Sequence, residues 1–134
     1  MKGYTFEMEF TVRDYELDTQ GIVNNSVYQN YLEHARHGFL KSLGLNFNEL
    51  HRQGTDAVVY KVELIYKKAL RGDDHFVVKT RAEPEGHVRF IFFQDIYLLP
   101  AEEPVLTGEI TTVFMNNGRP IRPPKEVSEA IAKR

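Results

Sequence analysis

Hydrophobic and polar residues alternate at the start of the chain. Every second position is apolar and the positions between are polar: Phe6, Met8, Phe10 and Val12 against Glu7, Glu9 and Thr11. Because successive side chains of a strand point to opposite faces, this pattern predicts a β-strand with one buried face. Residues 13–25 are rich in Asp, Asn and Gly, which favour turns and helix caps, so we predict a loop there.

From Ser26 the apolar period changes to that of a helix. Apolar residues recur three and four positions apart until Gly44: Val27, Tyr28, Tyr31, Leu32, Ala35, Phe39, Leu40 and Leu43. Side chains at this spacing lie on one helix face, so we predict one amphipathic helix of about five turns. A short helical turn, capped by Asn46 or Asn48, is expected over residues 47–52.

The second half of the chain returns to a period of two. Alternating runs cover residues 58–66, 76–82, 88–92 and 105–115, and we predict a strand for each. Turn residues separate the runs, and the hairpin length of these links predicts an antiparallel meander of four strands. Asn117-Gly118 predicts one more turn, and a short polar helix is expected over residues 126–133.

The element order is therefore strand, long helix, then four strands. A helix with such an apolar face has to be buried, and a sheet wrapped around it provides that burial. We predict an α+β fold, with a five-stranded antiparallel sheet around one long central helix, in a single domain of residues 1–134. The sheet keeps an exposed edge, so we expect a homodimer that assembles further to a homotetramer.

Composition narrows the class of protein. With 17 Lys and Arg against 19 Asp and Glu, the chain has no general basic field for nucleic-acid phosphates. The absence of Cys excludes disulfides and thiolate nucleophiles. The sequence shows neither a signal-peptide stretch nor an apolar membrane span, so we expect a cytoplasmic protein without a membrane partner.

The loop before the long helix holds the strongest candidate chemistry. A helix N-terminus offers unpaired N–H groups and a partial positive charge, which suit a carbonyl oxygen that becomes negative during attack. Asp18 is the best-placed carboxylate, because Gly21 lets the backbone turn between it and the helix. On spacing alone, an Asx turn at Asp18 and a helix cap at Asn24 or Asn25 are the simpler interpretation.

The motif around Asp18 favours the catalytic interpretation over the simpler one. Asp18-x-x-Gly21-Ile22-Val23-x-Asn25-x-x-Tyr28, followed by Tyr31-Leu32-Glu33-x-Ala35-Arg36, resembles the signature of the hot-dog thioesterases related to 4-hydroxybenzoyl-CoA thioesterase. The later strands and the Gly118-Arg119-Pro120-x-x-Pro123 tail agree with it. Residues 12–18, Val23-Asn24-Asn25 and Arg36-His37 are especially similar to the plant acyl-lipid (acyl-ACP) thioesterases.

The resemblance implies hydrolysis of acyl-CoA or acyl-ACP to a free acid and a thiol, without a cofactor. By this resemblance Asp18 is the catalytic carboxylate, as nucleophile or as general base on water. The backbone N–H of Asn25 then polarises the thioester carbonyl. Many relatives carry His or Tyr at the Asn25 position, and since an amide does not transfer protons, only a backbone or hydrogen-bonding role carries over.

Two kinds of substrate contact are expected. The apolar acyl pocket, shared across a dimer, is assigned to Tyr15, Val23, Val58, Val59 and Tyr60. A CoA phosphate or an acidic carrier protein favours positive charge, which is assigned to Lys67, Lys68, Arg71, Arg119 and Arg122. Both assignments have simpler alternatives. The basic residues are equally compatible with solvent-exposed strand ends. Tyr15 is equally compatible with packing on the core.

Other candidate catalytic or metal-binding residues are weaker. Glu33 is expected to pair with Arg36 one turn on, and His34 and His37 lack a third ligand, so no metal is expected. No serine lies in a Gly-x-Ser-x-Gly motif, so the sequence excludes the nucleophile elbow of a serine hydrolase. A hot-dog dehydratase or hydratase needs a His working with its carboxylate, and this loop has none. A non-catalytic acyl-binding module is the alternative from another class.

Overall fold

The structure is a computed structural model that describes residues 3–133; residues 1, 2 and 134 of the predicted domain lie outside the described part. The strands are β1 (Phe6–Thr11), β2 (Thr55–Tyr66), β3 (His75–Glu85), β4 (Arg89–Leu98), β5 (Glu103–Asn116) and β6 (Arg119–Ile121). The helices are α1 (Asn25–Ser42), α2 (Phe47–Arg52) and α3 (Lys125–Ala132), with a 3-10 turn at Asp14–Glu16. None of the helices in residues 3–133 is long and apolar enough to cross a membrane.

α1 packs against the sheet, and its predicted apolar face is buried: Tyr28, Tyr31, Leu32, Ala35 and Phe39. These side chains form one core with inward-facing strand residues such as Phe76, Phe92 and Ile110. The prediction of an antiparallel sheet around one long helix is confirmed. The short β6 adds a sixth strand, which pairs with β5 after the Asn117-Gly118 turn.

The strand order across the sheet is β1-β3-β4-β5-β2, and each neighbouring pair is antiparallel. The predicted meander of four strands is therefore wrong for β2, which pairs with β5 instead of β3. The reason is the link over residues 67–74, which crosses past the N-terminus of α1. There the Leu70 carbonyl accepts a hydrogen bond from Val23 N (2.9 Å), and Leu70 N donates to the Tyr28 hydroxyl (3.0 Å).

β2 is an edge strand with an unusual surface. Its backbone pairs with β5 on one side only within the protomer. Six large apolar side chains of the strand are exposed: Val58, Val59, Tyr60, Val62, Ile65 and Tyr66. An open groove lies between this strand and α1.

Candidate active site

The loop between β1 and α1 folds into a small hairpin that carries Asp18. Its arms are joined by hydrogen bonds from Asp18 N to the Ile22 carbonyl (2.8 Å) and from Asn24 N to the Glu16 carbonyl (3.0 Å). Gly21 makes the turn with a φ of 78°, in the left-handed region that glycine adopts without a steric penalty. The hairpin runs directly into the first turn of α1.

The half-buried carboxylate of Asp18 is held through one of its two oxygens. Oδ1 accepts hydrogen bonds from Gln20 N (2.8 Å) and Ile22 N (3.3 Å), which is the Asx turn of the simpler interpretation. Oδ2 accepts no hydrogen bond from any residue between 3 and 133. The structural role therefore uses one oxygen of the carboxylate and leaves the other without a hydrogen-bond partner in the described part of the chain.

Asn24 caps α1, and Asn25 is the first residue of the helix. Asn24 Oδ1 accepts a hydrogen bond from Ser26 N (3.2 Å), and its carbonyl accepts one from Val27 N (2.9 Å). The backbone N–H of Asn25 has no partner in the described part of the chain, as expected for the first N–H of a helix. Asn25 is exposed, so this donor lies where the partial positive charge of the helix is available.

A buried carboxylate that the sequence analysis missed anchors the hairpin. Glu16 is 8% exposed, and its Oε1 accepts hydrogen bonds from Arg13 N (2.8 Å) and from the Tyr31 hydroxyl (2.8 Å). Burial and then the hydrogen bond to Glu16 raise the pKa of Tyr31, so the phenol stays a protonated donor. The available signal was Arg13-x-x-Glu16, which has the spacing of a capping box.

A second polar contact, inside the core, was also missed. Gln94 of β4 is fully buried, and its Nε2 donates to the Leu32 carbonyl (3.0 Å) and to Thr80 Oγ1 (3.2 Å). Its Oε1 accepts a hydrogen bond from Arg36 Nη1 (2.9 Å). The predicted Glu33–Arg36 ion pair is therefore wrong, because the buried amide oxygen requires a donor and draws the guanidinium toward the sheet. A polar residue at an inward position of an apolar strand was the available signal.

The residues assigned to the acyl pocket do not converge within one protomer. Val59 lines the groove between α1 and β2. Tyr60 lies on the other face of the strand, with its ring centroid 4.7 Å from the Arg89 guanidinium carbon, and alternation places Val58 on that face too. Val23 is 2% exposed and packs in the core, whereas Tyr15 is 76% exposed on the 3-10 turn.

The predicted basic residues lie at opposite ends of β5. Lys67 and Lys68 donate their backbone N–H groups to the Val105 carbonyl, near the start of the strand. Arg71 forms an isolated bridge with Ile22 of the Asp18 hairpin. Arg119 pairs with Asn116 at the far end, on the order of 40 Å away along the strand, and Arg122 follows it. Within one protomer, only the group of Lys67, Lys68 and Arg71 lies near Asp18.

The histidines of α1 are not beside Asp18. The His34 ring packs against Phe10, with ring centroids 5.8 Å apart, and His37 lines a groove near Leu40 and Phe47. Among residues 3–133, no three His, Asp or Glu side chains are grouped as metal ligands.

Comparison with known proteins gives a sequence family. The family model described as Thioesterase-like superfamily matches residues 12–133. The chain is 44% identical over 126 residues to the acyl-acyl carrier protein thioesterase ATL2, chloroplastic, of Arabidopsis thaliana, which covers 93% of this chain and 67% of that protein. It is 41% identical to the Arabidopsis acyl-acyl carrier protein thioesterase ATL3, chloroplastic, over 90% of this chain and 64% of that protein.

Solved structures agree with this match. A hypothetical protein from Aquifex aeolicus superposes with a TM-score of 0.87 at 31% identity, over 95% of this chain and 99% of that chain. A 1,4-dihydroxy-2-naphthoyl-CoA thioesterase from Synechocystis superposes with a TM-score of 0.90 over 95% of both chains; at 15% identity it shows the fold alone. The resemblance to hot-dog thioesterases and the fold that it implies are confirmed.

Proposed function

The chain belongs to the thioesterase-like superfamily, and we propose that it hydrolyses thioesters of fatty acyl groups, carried by coenzyme A or acyl carrier protein, to a free acid and a thiol. The proposal rests on two groups of one loop, a carboxylate oxygen and a backbone N–H. Within the described residues, Asp18 Oδ2 and the Asn25 N–H have no hydrogen-bond partner. The names of the two plant relatives support the acyl substrate.

Thioester hydrolysis requires a donor to the carbonyl oxygen and an oxygen nucleophile at the carbonyl carbon. In our proposal the Asn25 N–H donates to the carbonyl oxygen, whose negative charge in the tetrahedral intermediate the helix N-terminus stabilises. Asp18 Oδ2 either takes a proton from an attacking water or attacks the carbon itself, forming a mixed anhydride that water hydrolyses. In both routes the C–S bond breaks, and the thiolate leaves and takes up a proton.

Positive charge beside the hairpin suits the carrier of the acyl group. Arg71 is joined to the Asp18 hairpin through Ile22, and Lys67 lies at the end of β2. Lys68 is already paired with Glu103, with Nζ and Oε2 3.0 Å apart. Arg71 and Lys67 are therefore the first candidates for the phosphates of CoA or the acidic surface of a carrier protein.

An Asp18→Asn variant tests the assignment. Asparagine keeps Oδ1 as the acceptor of the Asx turn, so the hairpin is retained, but its amide is neither a base nor a nucleophile. We expect kcat/KM to fall at least about a hundredfold, measured as thiol release from a panel of medium and long acyl-CoAs and acyl carrier proteins. Asp14→Asn, an exposed carboxylate on the same loop, is the matched control and should stay near wild type.

Unchanged turnover in folded Asp18→Asn protein would contradict the role of Asp18. Wild-type protein that binds acyl-CoA without releasing thiol would indicate an acyl-binding module. Hydration of an unsaturated acyl-CoA without thiol release would indicate the hydratase.

A further inference from the structure

A groove runs along α1 on the side of β2. Its first section has a volume of about 280 Å³. Its lining is half apolar (Leu32, Val59, Val62 and Ile110) and half polar (Gln29, Asn30, Glu33 and Arg36). A second, narrower section of about 120 Å³ shares Arg36 and Val59 and continues past Phe47 toward α3. The groove therefore combines apolar with polar residues, and Arg36 is the only Lys or Arg among the residues that line these two sections.

Arg36 is held at this wall by a single contact. Its Nη1 donates to Gln94 Oε1 at 2.9 Å, and Gln94 is itself fixed by the Leu32 carbonyl and Thr80. No other hydrogen bond or ion pair of the guanidinium is present between residues 3 and 133, and its remaining N–H groups are not enclosed by protein. Burial lowers the pKa of Arg36, while Glu33 raises it without direct contact.

The remaining N–H groups make the groove selective. A plain hydrocarbon chain lying in it would remove water from these donors and offer them no acceptor. A site built to hydrogen-bond a substrate group rejects the analogue that lacks the group. An oxygen on the chain would satisfy the donors. A neutral oxygen fits better than a carboxylate, because Glu33 would repel a second negative charge.

The helix geometry indicates where along the acyl chain this oxygen would lie. A helical side chain lies over the turn N-terminal to its own Cα, so the Arg36 guanidinium lies near the turn of Leu32 and Glu33. That turn follows Asn25 by about 11 Å along the helix axis, at a rise of about 1.5 Å per residue. An extended acyl chain advances about 1.2 Å per carbon–carbon bond. With the thioester carbonyl at the Asn25 N–H, the guanidinium therefore meets the chain roughly nine carbons beyond the thioester.

We propose that Arg36, positioned by Gln94, is a specificity-determining residue that selects acyl groups with a hydroxyl or oxo oxygen near the middle of a long chain. The inference rests on the proposed function, because it takes the Asn25 N–H as the origin for the acyl chain.

The test compares hexadecanoyl-CoA with its monohydroxy and mono-oxo positional isomers in the thiol-release assay. For the wild type, we expect kcat/KM of the mid-chain isomers to exceed that of hexadecanoyl-CoA by roughly ten- to a hundredfold. Isomers with oxygen at the far end of the chain should show no such gain. In Arg36→Met, the preference should disappear. Arg36→Lys keeps a donor in the groove and should retain part of it.

The matched control is Arg52→Met, which removes an exposed arginine of α2 that pairs with Glu49; it should keep the wild-type preference. Since the preference is a ratio within one preparation, partial unfolding of a variant lowers both rates and leaves the ratio unchanged. Equal kcat/KM for all isomers in the wild type, or a preference that persists in Arg36→Met, overturns the inference and leaves the proposed function intact. Absence of thiol release from every isomer and from hexadecanoyl-CoA overturns both.

Discussion

At the residue scale, Glu16 determines where Asp18 sits. Its side chain accepts hydrogen bonds from the Tyr31 hydroxyl in the body of α1 and from Arg13 N, and its carbonyl accepts one from the cap residue Asn24. A buried carboxylate depends on such donors, since each lost donor leaves a desolvated charge less well satisfied. The position of Asp18, two residues further on, therefore depends on the contact between Glu16 and Tyr31.

Tyr31→Phe removes this contact while keeping the ring in the core. We expect the free energy of unfolding to fall by about 1–3 kcal/mol, measured by urea titration. We also expect kcat to fall with little change in KM, because a shift of the hairpin would displace the proposed catalytic carboxylate and leave the proposed acyl groove intact. Glu16→Gln, which keeps an oxygen acceptor, should retain most of the activity that Glu16→Ala loses. A wild-type kcat in Tyr31→Phe would show that the contact does not position Asp18.

The residue-scale features differ in how far the sequence predicts them. Asp18 and Asn25 were placed at the start of the helix because they lie in one contiguous motif, which carries its own turn and cap chemistry. The Glu16–Tyr31 and Arg36–Gln94 contacts join residues 15 and 58 positions apart. A pattern along the chain marks such polar residues but does not identify their partners.

At the scale of elements, β2 combines a free edge with exposed apolar side chains. Tyr60, at a break in the register with β5, is 61% exposed, and Ile65 is 63% exposed. An edge of this length and apolarity favours pairing with another strand. A second copy of β2 provides a partner of matching length, which is the homodimer that we expect.

Tyr60→Lys combined with Ile65→Lys tests the role of this edge. We expect light scattering to find the wild type as a dimer or larger assembly, and the variant at the mass of the 15.6 kDa chain, because lysine on an edge strand opposes pairing. Tyr15→Lys replaces an exposed aromatic residue outside β2 and should leave the assembly unchanged. A monomeric wild type would rule out this pairing.

Element positions were predictable, whereas their order in the sheet was not. Periodicity indicates which face of a segment is buried, and it predicted α1 and the strands to within three residues, except that β4 continues six residues beyond its predicted end. Strand order depends on where the link over residues 67–74 leads, and its length suits a hairpin loop as well as a crossing. The contacts of Leu70 with Val23 and Tyr28 decide between these paths, and they form only in the folded chain.

At the scale of the whole molecule, β2 pairing would bring the two separated basic groups together. Arg119 pairs with Asn116, which pairs with Thr55 at the start of β2, whereas Lys67 follows the end of β2. In a two-fold antiparallel pair, the start of one strand lies beside the end of the other. Arg119 and Arg122 of the partner subunit would then lie near Lys67 and the Asp18 hairpin, so that each site contains residues of both chains.

Mixed dimers test whether the site is shared. One chain carries Asp18→Asn, and the other carries Arg119→Ala with Arg122→Ala, which alone should raise KM for acyl-CoA by weakening phosphate contacts. In a dimer purified through two different tags, one site then has an intact carboxylate and intact arginines from opposite chains, and the other site has neither. We expect about half of the wild-type kcat/KM, with the wild-type KM. If the arginines serve the site of their own chain, every site in the mixed dimer lacks one component and the raised KM persists.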